Sequence, residues 1–231
     1  MNISNTSPKR TQKGCSGSDR ALTFAYTVGE GIYINLTNRC TNDCVFCLRN
    51  NADSAYGSEV LWLLREPTPE EAADAVSNLY SDGIKEFVFC GYGEPMCRAD
   101  ALLQTAKILK RRYPGIPIRI NTNGQADLIL KKDIVPEMAG LIDAVSISLN
   151  TPDAESYNAI CKPVFGKIAY DALLDFGSRC VGVVKSVCFS VVRGPLSEDD
   201  IEKCRQIIEK TGAKVRVREY ISENNQNETL K

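Results

Sequence analysis

The chain has 231 residues, 43% of them hydrophobic, enough for one domain with a sizeable core and too few for two of ordinary size. Its 28 basic and 29 acidic residues leave a net charge of -1, so no global field draws a polyanion such as nucleic acid. Histidine is absent, which removes the commonest general base and the commonest zinc ligand together, and no apolar run of about 18 residues exists to span a membrane.

Residues 1–20 are rich in Ser, Thr, Asn, Lys and Gly and read as a disordered leader. Lys9, Arg10 and Lys13 have no apolar stretch behind them, so a secretory signal is not expected and the protein is expected in the cytoplasm. Folded structure is expected over 21–221, with a polar tail at 222–231. Strands at 21–27 and 31–36, joined through a glycine-containing turn, form a hairpin whose second strand feeds a cysteine-bearing loop. The polar stretch at 49–59 and the apolar run at 60–64 then make a connection well beyond the usual length of about 4–6 residues, and long ordered loops often serve function.

From Thr68 onward helices and strands alternate. Thr68-Pro69-Glu70-Glu71 is a capping box with Pro at the first helical position, and Ala72, Val76, Leu79 and Tyr80 share one face of a helix that ends near Gly83. Next come a strand at 86–90, a helix at 98–113 stopped by Pro114 and Gly115, and a strand at 116–121. A partly helical connector at 128–139, interrupted by Pro136, leads to a strand at 144–149. One or two helices fall in 153–179 and a strand in 183–192. Ser197, with Asp200 three residues on, opens a helix before the last strand at 214–220. Six strands separated by helices require parallel pairing with right-handed crossovers. That leaves an open doubly wound sheet or an incomplete barrel, and in both of them ligands gather at the C-terminal ends of the strands.

Ten cysteines are present, but only Cys40, Cys44 and Cys47 are clustered, in a C-x3-C-x2-C run directly after a strand. Cys90, Cys161, Cys180, Cys188 and Cys204 lie in strand or helix patterns and are expected in or near the core. A [4Fe-4S] cluster has four irons and is usually held by four thiolates, so a loop offering three leaves one iron open to another ligand. A zinc site or buried structural thiols are the alternatives. Structural zinc usually takes four ligands, however, and the next cysteine lies far downstream at Cys90.

Three strand ends carry further candidates. Gly91-Tyr92-Gly93-Glu94-Pro95 is either a plain βα turn or a place where glycines let the backbone approach a ligand and a carboxylate accepts from an ammonium group. Asn121 and Asn123 share a face by strand alternation, within what is otherwise an ordinary Asn-Gly turn. Ser146, Ser148 and Asn150 make a polar stripe that is costly in a parallel strand unless it meets a polar ligand or finds partners. Arg193 closes the fifth strand and either pairs with a ligand carboxylate or stands exposed.

The three-cysteine loop with Phe46 before its last cysteine, then Gly93-Glu94-Pro95, then the polar end of the fourth strand, resemble in this order the radical S-adenosylmethionine (SAM) superfamily. The resemblance implies an α/β fold, a partial (β/α)6 TIM-type barrel with the cluster loop after its first strand. It implies a [4Fe-4S] cluster on Cys40, Cys44 and Cys47, with SAM chelating the fourth iron. Phe46 would lie beside cluster and adenine, and Gly91, Gly93 and Glu94 at the methionine amine, although the family has adjacent glycines where Tyr92 intervenes here. Asn121 and Asn123 would border cofactor or substrate, Ser148 and Asn150 would meet SAM's ribose and carboxylate, and Arg193 a carboxylate. Tyr92, Trp62, Arg49 and Cys97 are candidates for the substrate border. The stretches 34–40 and 90–95 look like a small subgroup linked to TatD-type nucleases. The implied activity is reductive cleavage of SAM to a 5′-deoxyadenosyl radical that abstracts hydrogen from a substrate, with an electron donor such as flavodoxin or ferredoxin and with neither nucleic acid nor membrane as partner. The alternatives are a glycyl-radical activating enzyme, a relative acting on a small heterocycle, or a non-catalytic iron-sulfur electron-transfer module, for which a fourth thiolate would be expected.

Overall fold

Apolar residues at every second position place Ile32 and Ile34, Phe87 and Phe89, Ile118 and Ile120, Val145 and Ile147, and Val187, Phe189 and Val191 together in one fully or nearly buried core. Burial of each such side chain contributes about 1.5–3 kcal/mol, and the helices cover this face. A computed structural model describes residues 21–50, 52–194 and 196–219; the expected leader at 1–20 and tail at 222–231, together with Tyr220 and Ile221, lie outside them.

One sheet of seven strands runs in chain order: β1 (Ala25–Val28), β2 (Gly31–Ile34), β3 (Glu86–Phe89), β4 (Ile118–Thr122), β5 (Ala144–Ser148), β6 (Ser186–Val192) and β7 (Lys214–Arg218). The six strands from β2 to β7 are parallel, as expected, and β1 adds an antiparallel edge through the hairpin, with Tyr26 opposite Tyr33. The sheet does not close, since β1 and β7 both end it. The first strand starts later than its apolar content suggests, because Ala21 instead bridges to Leu63 in the long connection.

Three of the described α-helices begin where the sequence supplies a side-chain cap. Thr68 and Glu71 exchange side-chain and backbone hydrogen bonds at the start of α1 (Pro69–Leu79), and Ser197 accepts from the Asp200 amide at the start of α7 (Glu198–Glu209). The helix α2 (Ala99–Arg112) buries Leu102, Ala106 and Leu109. The β4–β5 connector divides into α3 (Ala126–Leu130) and α4 (Val135–Met138). Pro136 does not interrupt it: proline stands in the first turn of α4, where its missing N–H costs nothing. The break comes at Lys131, which takes a left-handed conformation at φ 56°. Between β5 and β6 lie two helices, α5 (Ala154–Cys161), capped by Asp153, and α6 (Ile168–Cys180). Within α6, Gly177 lets Phe189 pack against the helix backbone, since a Cβ there would stand 2.2 Å from the phenyl ring.

The opposite face of the sheet is the inside of the open barrel and carries a second, smaller apolar cluster. Tyr26, Ala55, Leu61 and Tyr92 are buried there, with Tyr33, Tyr56 and Trp62 packed around them. The long connection after the cysteine loop therefore folds over the β1–β3 side of the barrel interior. No helix among the described residues is long and apolar enough to cross a membrane.

Candidate active site

The loop bearing Cys40, Cys44 and Cys47 leaves the C-terminal end of β2, and side chains anchor it along its length. Asn35 donates to the Leu61 carbonyl at 2.8 Å, and Asn38 exchanges two hydrogen bonds with the backbone of Leu63. Glu66 gathers the Thr37 hydroxyl and the guanidiniums of Arg39 and Arg98. Partial burial works against its charge, but these donors outweigh it and hold the carboxyl below the usual carboxylate range. Arg49 reaches the carbonyls of Asn38, Asn42 and Tyr92, stitching the loop to itself and to the loop after β3.

The Gly91–Glu94 segment lies directly against this loop. A Cβ on Gly93 would stand 2.2 Å from the Thr37 carbonyl oxygen and 2.6 Å from that of Arg39, and the Glu94 amide donates to Arg39 at 2.7 Å. On Gly91 it would meet the Asn35 side chain at 2.1 Å. In the structure these glycines let two loops touch. The Glu94 carboxylate is buried and accepts from the Met96 amide, the Thr122 hydroxyl and the Asn123 amide at 2.7–3.0 Å. Burial pushes its carboxyl above the usual range, while these three hydrogen bonds oppose the rise.

Asn121 and Asn123 enter separate networks. The Asn121 side chain accepts from Arg119, itself paired with Glu86, on the barrel interior. Asn123 donates to Thr41 and accepts from the Gln125 amide. Gln125 in turn joins Thr41, Asn42 and the Tyr157 hydroxyl at 2.7–3.1 Å. Thr41, Asn42, Gln125 and Tyr157 thus fix the cysteine loop to β4 and α5, and sequence reasoning singled out none of them. Polar residues at 41 and 42 inside the motif, and Gln125 right after the Asn-Gly turn, were visible signals, whereas nothing marked Tyr157.

All three motif cysteines are half-buried, and Phe46 packs against the main core. Cys40 accepts from the Asn42 amide, yet burial raises its thiol to about 12. A hydrogen bond with Cys161, followed by burial, pushes Cys44 up as well. Cys161 is buried, as expected of a core cysteine, but its thiol also touches the motif. Among the described residues no three of these ligand-type side chains stand close enough together to hold one metal ion. The donor set, three soft thiols on one loop, suits a cluster in which each thiolate takes its own iron.

Ser148 ends β5 on the barrel interior, in register with Ser190. Asn150 follows at φ 62°, is buried, and donates weakly to the Cys161 sulfur, while its Oδ1 has no partner among the described residues. An orphaned buried acceptor is costly and calls for a donor that a ligand can bring. Arg193, after the end of β6, pairs with Glu198 and Glu219. Tyr92 and Trp62 meet edge to face at 5.2 Å, and the Tyr92 hydroxyl donates to the Ala52 carbonyl.

The model of the radical SAM superfamily matches residues 34–208, which takes in the cysteine loop, the Gly-Glu-Pro segment and β3 to β6. The chain belongs to the radical SAM superfamily. Radical SAM enzymes use a [4Fe-4S] cluster and SAM, and they need a substrate and a reductant. Relatives include a probable GTP 3′,8-cyclase of Methanosarcina acetivorans, 30% identical over 131 residues, covering 56% of this chain and 36% of the relative. The GTP 3′,8-cyclase of Corynebacterium glutamicum is 32% identical over 144 residues, covering 58% and 34%. The matched part thus spans about a third of these relatives' length. Among solved structures, SuiB of Streptococcus suis bound to precursor peptide SuiA superposes with a TM-score of 0.65 at 18% identity, covering 90% of this chain and 43% of SuiB. A radical SAM methyltransferase from Sphaerobacter thermophilus gives 0.54 at 17% identity, covering 84% and 68%. These two likenesses bear on the fold, which is the radical SAM partial barrel expected from the sequence.

Proposed function

We propose that Cys40, Cys44 and Cys47 hold three irons of a [4Fe-4S] cluster and leave the fourth to SAM. When bound, the reduced cluster supplies the electron that splits SAM into methionine and a 5′-deoxyadenosyl radical, which takes hydrogen from the substrate. The observation that carries this reading is the motif loop itself: three half-buried thiols, pinned by Arg49, Asn42 and Glu66, at the C-terminal end of the first parallel strand.

In this reading the chain's own residues divide their work. Asn150, with its unpartnered buried Oδ1, and Ser148 contact SAM from the end of β5. Phe46 supplies an apolar surface beside the loop. Gly91, Gly93 and Glu94 bring the backbone after β3 to the methionine amine, and the Glu94 carboxylate keeps that backbone in place through its three hydrogen bonds. Asn121 and Asn123 act by holding β4 and its loop, and Arg193 has no part in SAM binding. The absence of histidine agrees with this chemistry, since hydrogen-atom abstraction requires no general base at its first step. Relatives named GTP 3′,8-cyclases favour a small heterocycle as substrate over a glycyl-radical partner protein.

Anaerobic reconstitution with iron and sulfide, followed by dithionite and SAM, tests the proposal. The expected result is a brown protein that forms 5′-deoxyadenosine slowly without substrate, and a Cys44→Ala variant that forms none. A reconstituted protein that binds iron yet leaves SAM intact would support the electron-transfer alternative instead.

A further inference from the structure

The last strand carries a stripe of cations that the SAM chemistry does not use. Along β7, Val215 and Val217 pack on the helix-covered core, so alternation turns Lys214, Arg216 and Arg218 to the barrel interior. Register confirms the side: Lys214 lies beside Cys188, Arg216 beside Ser190 and Arg218 beside Val192, and Ser190 is itself paired with Ser148. None of the three forms an ion pair with any described residue. Among the described residues, every other arginine except Arg111, at the end of α2, is paired with a carboxylate or, for Arg49, bonded to carbonyls. Three like charges at alternate positions repel one another, and no described carboxylate pairs with them.

Across the opening stands Tyr56, at the tip of the long connection, held at φ 54° in a turn with Gly57. Its hydroxyl feels the charges of both Arg218 and Arg216. Inward charges also guard a free sheet edge against pairing. That duty requires charge, but not arginine twice, beside a hydroxyl row and facing a tyrosine. Arginine's planar fork is suited to an oxyanion.

We propose that Arg216 and Arg218, with Lys214 below them and Tyr56 opposite, bind an oxyanion of a small-molecule substrate, a phosphate or carboxylate group, on the β7 wall of the barrel. This rests on the radical SAM reading for the identity of the bound molecule as substrate. Ser148, the SAM candidate, sits two strand spacings from Arg216, ~10 Å at the usual interstrand distance, so a substrate anchored there by its anion extends its body toward SAM.

Calorimetric titration of the anaerobically reconstituted, SAM-loaded protein with tripolyphosphate and, separately, with citrate tests this. At least one anion should bind, more weakly as salt rises, and the tighter of the two identifies the group as phosphate or carboxylate. Both Arg216→Ala/Arg218→Ala and Arg216→Gln/Arg218→Gln should weaken it at least tenfold, whereas Lys203→Ala/Arg205→Ala on the outer face of α7 should not change it. Either folded double variant binding like the parent would overturn the proposal, as would a parent that binds neither anion. 5′-Deoxyadenosine formation by the parent reads the radical SAM assignment separately. A parent that cleaves SAM without binding an anion sinks this inference alone, and one that binds an anion through these arginines without cleaving SAM sinks only the assignment.

Discussion

Gly93 shows how closely the two loops of the site depend on one residue. An added Cβ would press against the Thr37 and Arg39 carbonyls, which are backbone and cannot swing aside. Gly93→Ala should therefore cost about 1–3 kcal/mol, the usual range for an overpacked site, and lower the iron content after reconstitution. Gly83→Ala, where a Cβ meets nothing within 4 Å, should leave both unchanged; a similar melting temperature for the two variants would remove the close approach as the reason for glycine. At this scale the sequence revealed the residue types but not their partners. The spacing of Cys40, Cys44 and Cys47 was legible because consecutive ligands on one loop need no tertiary information. Glu94, Asn123 and Arg193 were legible as polar residues at strand ends, yet which groups they meet depends on long-range packing: Glu94 on β4, Asn123 on Thr41, Arg193 on α7. Tyr157 lies 115 positions from Asn42, beyond the reach of any local pattern.

Elements were read more securely, because periodicity and caps are local. The capping box at Thr68 predicted the start of α1, and the structure has both of its hydrogen bonds. Thr68→Ala should lower stability by about 1 kcal/mol, as cap losses generally do, measurable as a shift in the denaturation midpoint at constant slope; no shift would mean that the exposed first turn frays without cost. The connector between β4 and β5 breaks at the left-handed Lys131 and not at Pro136, because proline is a breaker inside a helix but a starter in its first turn. The alternating Lys214, Arg216 and Arg218 were legible as a strand, while the side they face became known only from the core contacts of Val215 and Val217.

On the scale of the whole molecule, strand order follows chain order, so the loops after the parallel strands β2 to β6 arrive at the same end of one open sheet. That topology brings the cysteine loop of β2, the Gly-Glu-Pro segment of β3 and the Asn150 turn of β5 to a common rim, with aromatic residues on the β1–β3 side and cations on β7. Strand alternation alone leaves barrel and open sheet undecided, the family resemblance implies an incomplete barrel, and six parallel strands in order, with β1 and β7 ending the described sheet, agree with it. The proposed SAM chemistry depends above all on an iron left open by the three-cysteine loop. Electron paramagnetic resonance of the reduced, air-free reconstituted protein, recorded with and without SAM, addresses that directly. An open iron gives a [4Fe-4S] signal that SAM alters in wild type and that Cys44→Ala lacks; a cluster signal indifferent to saturating SAM would contradict it.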